Sequence, residues 1–198
     1  MNLEPRRATV QRTTTETDIK LELGLDGDGV ADVSSGIGFL DHMLDLFAHH
    51  GGFDITVDAK GDLEVDGHHT VEDIGLSFGQ ALRDALGDRA GVRRFGTAVV
   101  PMDEALAMVS VDLSGRPFLH YDLDLSGVRI GEFDGDLAGH FFRSIVNASA
   151  ITLHVRLLSG TDPHHIVEAV FKGFARALAA ACERVDAGGR IPSTKGTL

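Results

Sequence analysis

Two stretches of the chain carry apolar or small residues at the same helical spacing: Val71, Ile74, Gly75, Phe78, Leu82 and Ala85, then Val167, Val170, Phe171, Phe174, Leu178 and Ala181. Each set is the buried stripe of one amphipathic helix. Ahead of each stripe stand another helical segment and an alternating strand, residues 39–44 before 53–58 and residues 137–142 before 150–157. Alternation also predicts extended segments at 19–25 and 30–33 in the first part, and at 107–113 and 118–125 in the second. Lys60-Gly61-Asp62 reads as a turn between strands. The chain is therefore expected to be a duplicated α+β protein whose halves, 1–91 and 92–198, each hold a small mixed sheet and two helices. No low-complexity linker separates them near residues 87–96, so they are expected to pack as one unit.

Composition narrows the class. With 198 residues and 43% hydrophobic content the chain has enough apolar material for a sizeable core. A formal charge of −12 and a pI near 5.1 repel nucleic-acid backbones and anionic membranes, so neither is the expected partner. The single cysteine, Cys182, excludes an intramolecular disulfide framework and reads as a helix-packing residue in a reducing compartment. The charged start of the chain lacks the apolar core of a signal peptide, and the expected location is cytoplasmic.

The histidines change the picture. His68-His69-Thr70-Val71-Glu72 and His164-His165-Ile166-Val167-Glu168 each open one of the matched helices, 96 residues apart. On a helix, residues four apart share a face, so His68 with Glu72, and His164 with Glu168, can each offer an imidazole and a carboxylate to one ion. His69 and His165 point about 100° away, toward a different centre. His42 and His140, on the preceding helices, can supply further nitrogens. This nitrogen and oxygen set without thiolate favours two ions of Mn, Fe, Co or Zn over Ca or Mg. His49, His50, His120 and His154 lack a partner pattern and read as structural.

Basic residues cluster at turns: Arg94 in Arg93-Arg94-Phe95-Gly96, Arg116 in Ser114-Gly115-Arg116-Pro117, and Ser193 with Lys195 in the tail. Lys172 lies one turn beyond Glu168 on the same helix face. Together Arg94, Arg116, Lys172, Ser193 and Lys195 would make a phosphate site. Glu16, in a hydroxyl-rich extended segment from Arg12 to Asp18, reads from the residues alone as a strand edge, and Pro101-Met102-Asp103-Glu104 as a structural turn.

From Arg12 to its end the chain resembles imidazoleglycerol-phosphate dehydratase, a metal-dependent hydro-lyase of histidine biosynthesis. The resemblance rests on His42 within Phe39-Leu40-Asp41-His42-Met43-Leu44, the doubled His-His-x-x-Glu helices, Ser114-Gly115-Arg116-Pro117 and Ser193-Thr194-Lys195-Gly196. It implies a duplicated fold like the second domain of ribosomal protein S5, assembled from trimers into a homo-oligomer of 24 subunits with active sites shared between subunits. It implies two Mn ions per active site, held by the positions of His42, His68, His69, Glu72, His140, His164, His165 and Glu168. It places the substrate phosphate on Arg94, Arg116, Lys172, Ser193 and Lys195, and makes Glu16 a candidate acid/base. Leu46 departs from the family's usual Gln, Gly67 from an acid, and Gly139 from a longer residue; the version with a fused phosphatase is not expected.

The implied reaction is dehydration of imidazole glycerol phosphate to imidazole acetol phosphate through a di-metal-bound imidazolate. Glu16 is then expected to take the proton and Glu168 or a metal-bound water to assist the leaving hydroxide, or the reverse. Two other readings use the same residues: a two-metal phosphate-ester hydrolase, and a metal-assembled cage without catalysis.

Overall fold

A computed structural model describes residues 4–185 and 189–196. The first half runs β1 (Arg7–Thr13), β2 (Thr17–Gly24), β3 (Ala31–Ser34), α1 (Gly38–Gly51), β4 (Asp54–Gly61) and α2 (His68–Leu86). The second runs β5 (Phe95–Met102), β6 (Ala105–Asp112), β7 (Phe118–Asp122), a short hairpin of β8 (Arg129–Ile130) and β9 (Phe133–Asp134), α3 (Asp136–Ser149), β10 (Thr152–Ser159) and α4 (Pro163–Cys182).

The two four-stranded sheets repeat one topology, β1-β2-β4-β3 and β5-β6-β10-β7. In each, three strands pair antiparallel and the last joins in parallel, β3 to β4 and β7 to β10. Duplication therefore extends to strand order and direction.

The apolar face of each sheet is covered by helices, α2 on β1 and β2, α4 on β5 and β6. The helices then pack across the halves, α1 on α4 and α2 on α3. The result is a sheet, two layers of helices and a second sheet, with one core drawn from both halves. Phe47, Phe78, Phe141, Phe142, Phe171 and Phe174 meet there as an aromatic cluster. Cys182 is buried at the end of α4, and burial pushes its thiol up to about 12, which suits a packing residue. Among the described residues no helix is long and apolar enough to cross a membrane.

The structure departs from the sequence expectation in particular places. β1 was not expected: its outward positions Arg7, Thr9 and Gln11 are polar, and only Val10 is fully buried. β5 runs Phe95–Met102 and takes in Pro101 and Met102, so the turn expected at Pro101–Glu104 narrows to Asp103 and Glu104. β4 continues through Lys60 and Gly61, which pair with Asp18 and Thr17, so the expected turn begins later. β7 ends at Asp122, not 125, and the β8–β9 hairpin has no counterpart in the first half.

Close helix contact needs small residues. A Cβ on Gly79 would stand 2.5 Å from the Ile145 carbonyl oxygen, which belongs to the backbone of α3 and cannot swing aside. At the ends of the paired helices, Gly52 and Ala150 both close the last turn in the left-handed region, with φ of +68° and +55°. A Cβ is costly there, so Ala150 carries strain that Gly52 does not. We expect Gly79→Ala to cost about 1–3 kcal/mol and Ala150→Gly to stabilise by about 1 kcal/mol. Thermal melting of the two variants reads both signs.

Candidate metal centre and active site

Both His-His helices start from an aspartate two residues upstream. Asp66 Oδ1 accepts the His68 N–H at 2.7 Å and Asp162 Oδ1 accepts the His164 N–H at 2.8 Å. These carboxylates satisfy backbone donors at the helix start and hold each first turn in place.

Crossed helix packing then sorts the histidines. His42 of α1 meets His164 and Glu168 of α4, and ligand atoms from the three lie within 4.8 Å of one another. Glu168 Oε2 is 3.1 Å from His164 Nε2 and 3.6 Å from His42 Nε2. His140 of α3 meets His68 of α2, with ring centroids 4.5 Å apart. Each cluster takes one helix from each half. Glu72 is exposed and belongs to no three-donor group among the described residues. His120 and His154 face each other on the outer surface of the second sheet, and the His49 and His50 rings pair at the end of α1, where burial first and then the Lys172 charge lower His50 below its ordinary range.

The buried carboxylate of Glu168 has a second partner. Burial disfavours its charge, but the Lys172 ammonium donates to Oε1 at 2.6 Å and, with His164, holds the carboxyl below its ordinary range. A cation four residues on therefore keeps this buried carboxylate ionised.

His69 and His165 turn away from these clusters, as their position on the helix requires. His69 Nδ1 lies 2.9 Å from Asp62 Oδ2 and 3.8 Å from Glu16 Oε2. His165 Nδ1 lies 2.8 Å from Glu104 Oε2. Hydrogen bonding to these carboxylates raises both imidazoles above their ordinary range. The backbone N–H of Asp162, the His165 ring and the backbone N–H of Thr161 together lower Glu104 to about 2. Asp62 and Glu104 were missed as site residues in the sequence. The available signal was positional, since the β5–β6 turn matches the β1–β2 turn that carries Glu16.

That first turn is anchored from below. Thr17 Oγ1 donates to the buried Asp73 Oδ2 at 2.5 Å and Arg12 Nε to Asp73 Oδ1 at 2.7 Å, tying the turn to α2. Thr14 Oγ1 accepts the N–H groups of Glu16 and Thr17. Glu16 itself stays about half exposed, beside a cavity of about 390 Å³ lined by Thr13–Asp18 and the Lys60–Asp62 segment. A larger cavity of about 900 Å³ opens beside His42 and His164, walled by Phe39, Leu63, Val65 and the β8–β9 hairpin.

The basic residues divide into two groups. Arg94 pairs with Asp112 at 2.7 Å and donates to the Pro192 carbonyl at 2.9 Å, which brings the tail with Ser193 and Lys195 to the start of β5. Arg116, just before β7, sits at the same end of the sheet and donates to the Ser114 carbonyl. Lys172 instead touches Met102 at the other end of β5. An eight-residue strand separates them by about 24 Å. Within one chain, the metal end and the tail end do not meet.

Replacing Lys172 by Met should move Glu168 upward on the pH scale. In metal-free wild type the lowered carboxyl adds stability above its unfolded value near 4.5, lost as pH falls through the folded value. In Lys172→Met the uncompensated buried charge lowers stability at neutral pH, and acidification restores it. In chelator, the melting temperature of Lys172→Met is expected to lie furthest below wild type near pH 7 and to draw closer to it as the pH falls toward about 4.

A family model described as imidazoleglycerol-phosphate dehydratase matches residues 35–178. The enzyme of that name from Geobacter sulfurreducens is 54% identical over 193 residues, covering 98% of this chain and 99% of that protein. The chloroplastic imidazoleglycerol-phosphate dehydratase 1 of Arabidopsis thaliana is 55% identical over 194 residues, covering 98% of this chain and 72% of that protein. Among solved structures, the Staphylococcus aureus enzyme superposes with a TM-score of 0.82 at 39% identity, covering 90% of this chain and 99% of that one. The Pyrococcus furiosus enzyme, solved in complex with (S)-C348, also gives 0.82 at 39% identity, covering 96% and 100%. With the repeated fold and the crossed histidine clusters these matches agree on one assignment: the chain belongs to the imidazoleglycerol-phosphate dehydratase family.

Proposed function

We propose that this hydro-lyase removes water from imidazole glycerol phosphate to give imidazole acetol phosphate in histidine biosynthesis, using two divalent transition-metal ions, manganese by preference. The observation that carries the reading is the convergence of His42, His164 and Glu168 from the two halves on one point. Imidazole nitrogen and carboxylate oxygen without thiolate fit Mn, and three protein donors leave positions open for substrate. His68 and His140 are the core of the second centre, and Glu72, His69 and His165 are the remaining donors. Bound metal supplies Lewis acidity that draws electron density from the imidazole ring.

The chain's own groups handle the protons. Glu16, exposed and anchored at its turn, takes the proton from the glycerol carbon. Hydroxide leaves the neighbouring carbon. Glu168 assists it, with the Lys172 ammonium 2.6 Å away as the donor in place. Water and an enol result, and the enol ketonises.

Shared sites follow from distance. A small substrate cannot reach from the metal end to Arg94, Arg116, Ser193 and Lys195 in one chain, so a second copy completes the site, as in a 24-subunit shell. Surface character supports self-association. The outer face of the first sheet is polar, with Arg7, Thr9, Gln11, Lys20, Asp58 and Lys60, whereas the second exposes Phe95, Val99, Phe118 and Leu158. Light scattering that finds a monomer would contradict this. The lone buried cysteine suits a cytoplasmic enzyme.

Mn-loaded protein incubated with imidazole glycerol phosphate should yield a product lighter by one water, read by mass spectrometry. Phosphate release would favour a hydrolase, and no conversion by metal-replete protein would leave a non-catalytic cage. Glu16→Gln should keep metal content and assembly while losing on the order of 100-fold or more in turnover.

A further inference from the structure

The two helix starts are built alike, yet the carboxylate that touches the outward histidine comes from different places. In the second half the β5–β6 turn supplies it, since Glu104 Oε2 lies 2.8 Å from His165 Nδ1. Glu104 Oε1 meanwhile accepts the N–H groups of Thr161 at 3.1 Å and Asp162 at 2.8 Å. The side chain is locked between the end of β10 and the start of α4. In the first half the matching turn carries Glu16, whose Oε2 stands 3.8 Å from His69 Nδ1, beyond hydrogen-bond reach. Asp62, from the end of β4, takes the contact at 2.9 Å.

An ionised carboxylate can only accept hydrogen bonds. Nδ1 of each ring must then carry the proton. In the neutral ring Nε2 then keeps a free lone pair, the form in which imidazole binds a metal. Around His165 Nε2, Asp103 Oδ2 stands 3.8 Å off on a largely exposed side chain, which leaves that nitrogen open to the outside.

We propose that Glu104 and Asp62 are positioning residues, which fix His165 and His69 in the Nδ1-protonated form with Nε2 presented outward as a ligand. Duplication gave both halves a hairpin turn facing the second histidine. The second half uses its turn acid as a pin; the first moved that duty to Asp62 and left Glu16 free. This inference rests on the reading of His69 and His165 as metal ligands.

Glu104→Gln separates pinning from folding. The amide oxygen must serve the Thr161 and Asp162 N–H groups, because the amide nitrogen cannot accept. The nitrogen then faces His165 Nδ1, which must accept, and the ring proton moves to Nε2. Equilibrium dialysis of Mn²⁺ without substrate compares wild type, Glu104→Gln, His165→Asn and the double variant, with melting of the metal-free proteins alongside. Glu104→Gln is expected to lose about 10- to 100-fold in Mn²⁺ affinity while the metal-free protein still melts cooperatively, and to add nothing to the affinity loss in the His165→Asn background. Wild-type affinity in Glu104→Gln, where His165→Asn binds weakly, overturns the pin alone. A loss that persists in full beside His165→Asn assigns the effect to the turn and also overturns it. Mn²⁺ binding that His165→Asn leaves untouched sinks the ligand reading itself. The same cycle on Asp62→Ala and His69→Asn tests the other pin.

Discussion

Contact between helices of different halves is the constraint on which the site depends. Gly79 lets α2 approach the backbone of α3, and the aromatic cluster around Phe78, Phe142 and Phe174 holds the two helix layers together. Because α1 lies on α4 and α2 on α3, an imidazole from one half arrives beside an imidazole from the other. Neither half contains a whole cluster. A duplicated fold with this crossing therefore makes two related centres, and stability of the core and geometry of the donors are the same property.

The halves have diverged on top of that shared frame. Lys172 stands beside Glu168 and keeps its carboxylate charged, and the β8–β9 hairpin walls the cavity next to His42 and His164. Sheet surfaces diverged as well: one is uniformly polar, the other partly apolar. Together with the separation of Arg94 and the tail from Lys172, this supports the proposal that another copy of the chain completes the site. Electrostatics points the same way, since an overall charge of −12 leaves phosphate recognition to a few local cations.

Much of this was legible in the sequence because duplication amplifies weak signals. The matched stripes behind Val71 and Val167 gave the helices, and the repeated His-His-x-x-Glu marked their starts. Strand β1 was not legible, since one buried valine among polar neighbours carries almost no pattern. The grouping of His42 with His164 and of His68 with His140 was not legible either. Helix spacing says which residues share a face, but only tertiary packing says which helix that face meets. Glu104 looked like an ordinary turn residue for the same reason, because its three hydrogen bonds come from Thr161, Asp162 and His165, far along the chain.

The central claim is that two metal ions sit where helices of the two halves cross. Anomalous diffraction from crystals of the Mn-loaded protein, collected on either side of the manganese absorption edge, tests it most directly. One peak against His42, His164 and Glu168 and another against His68 and His140 is the predicted result. Peaks elsewhere, or none at these imidazoles in metal-replete crystals, would contradict it.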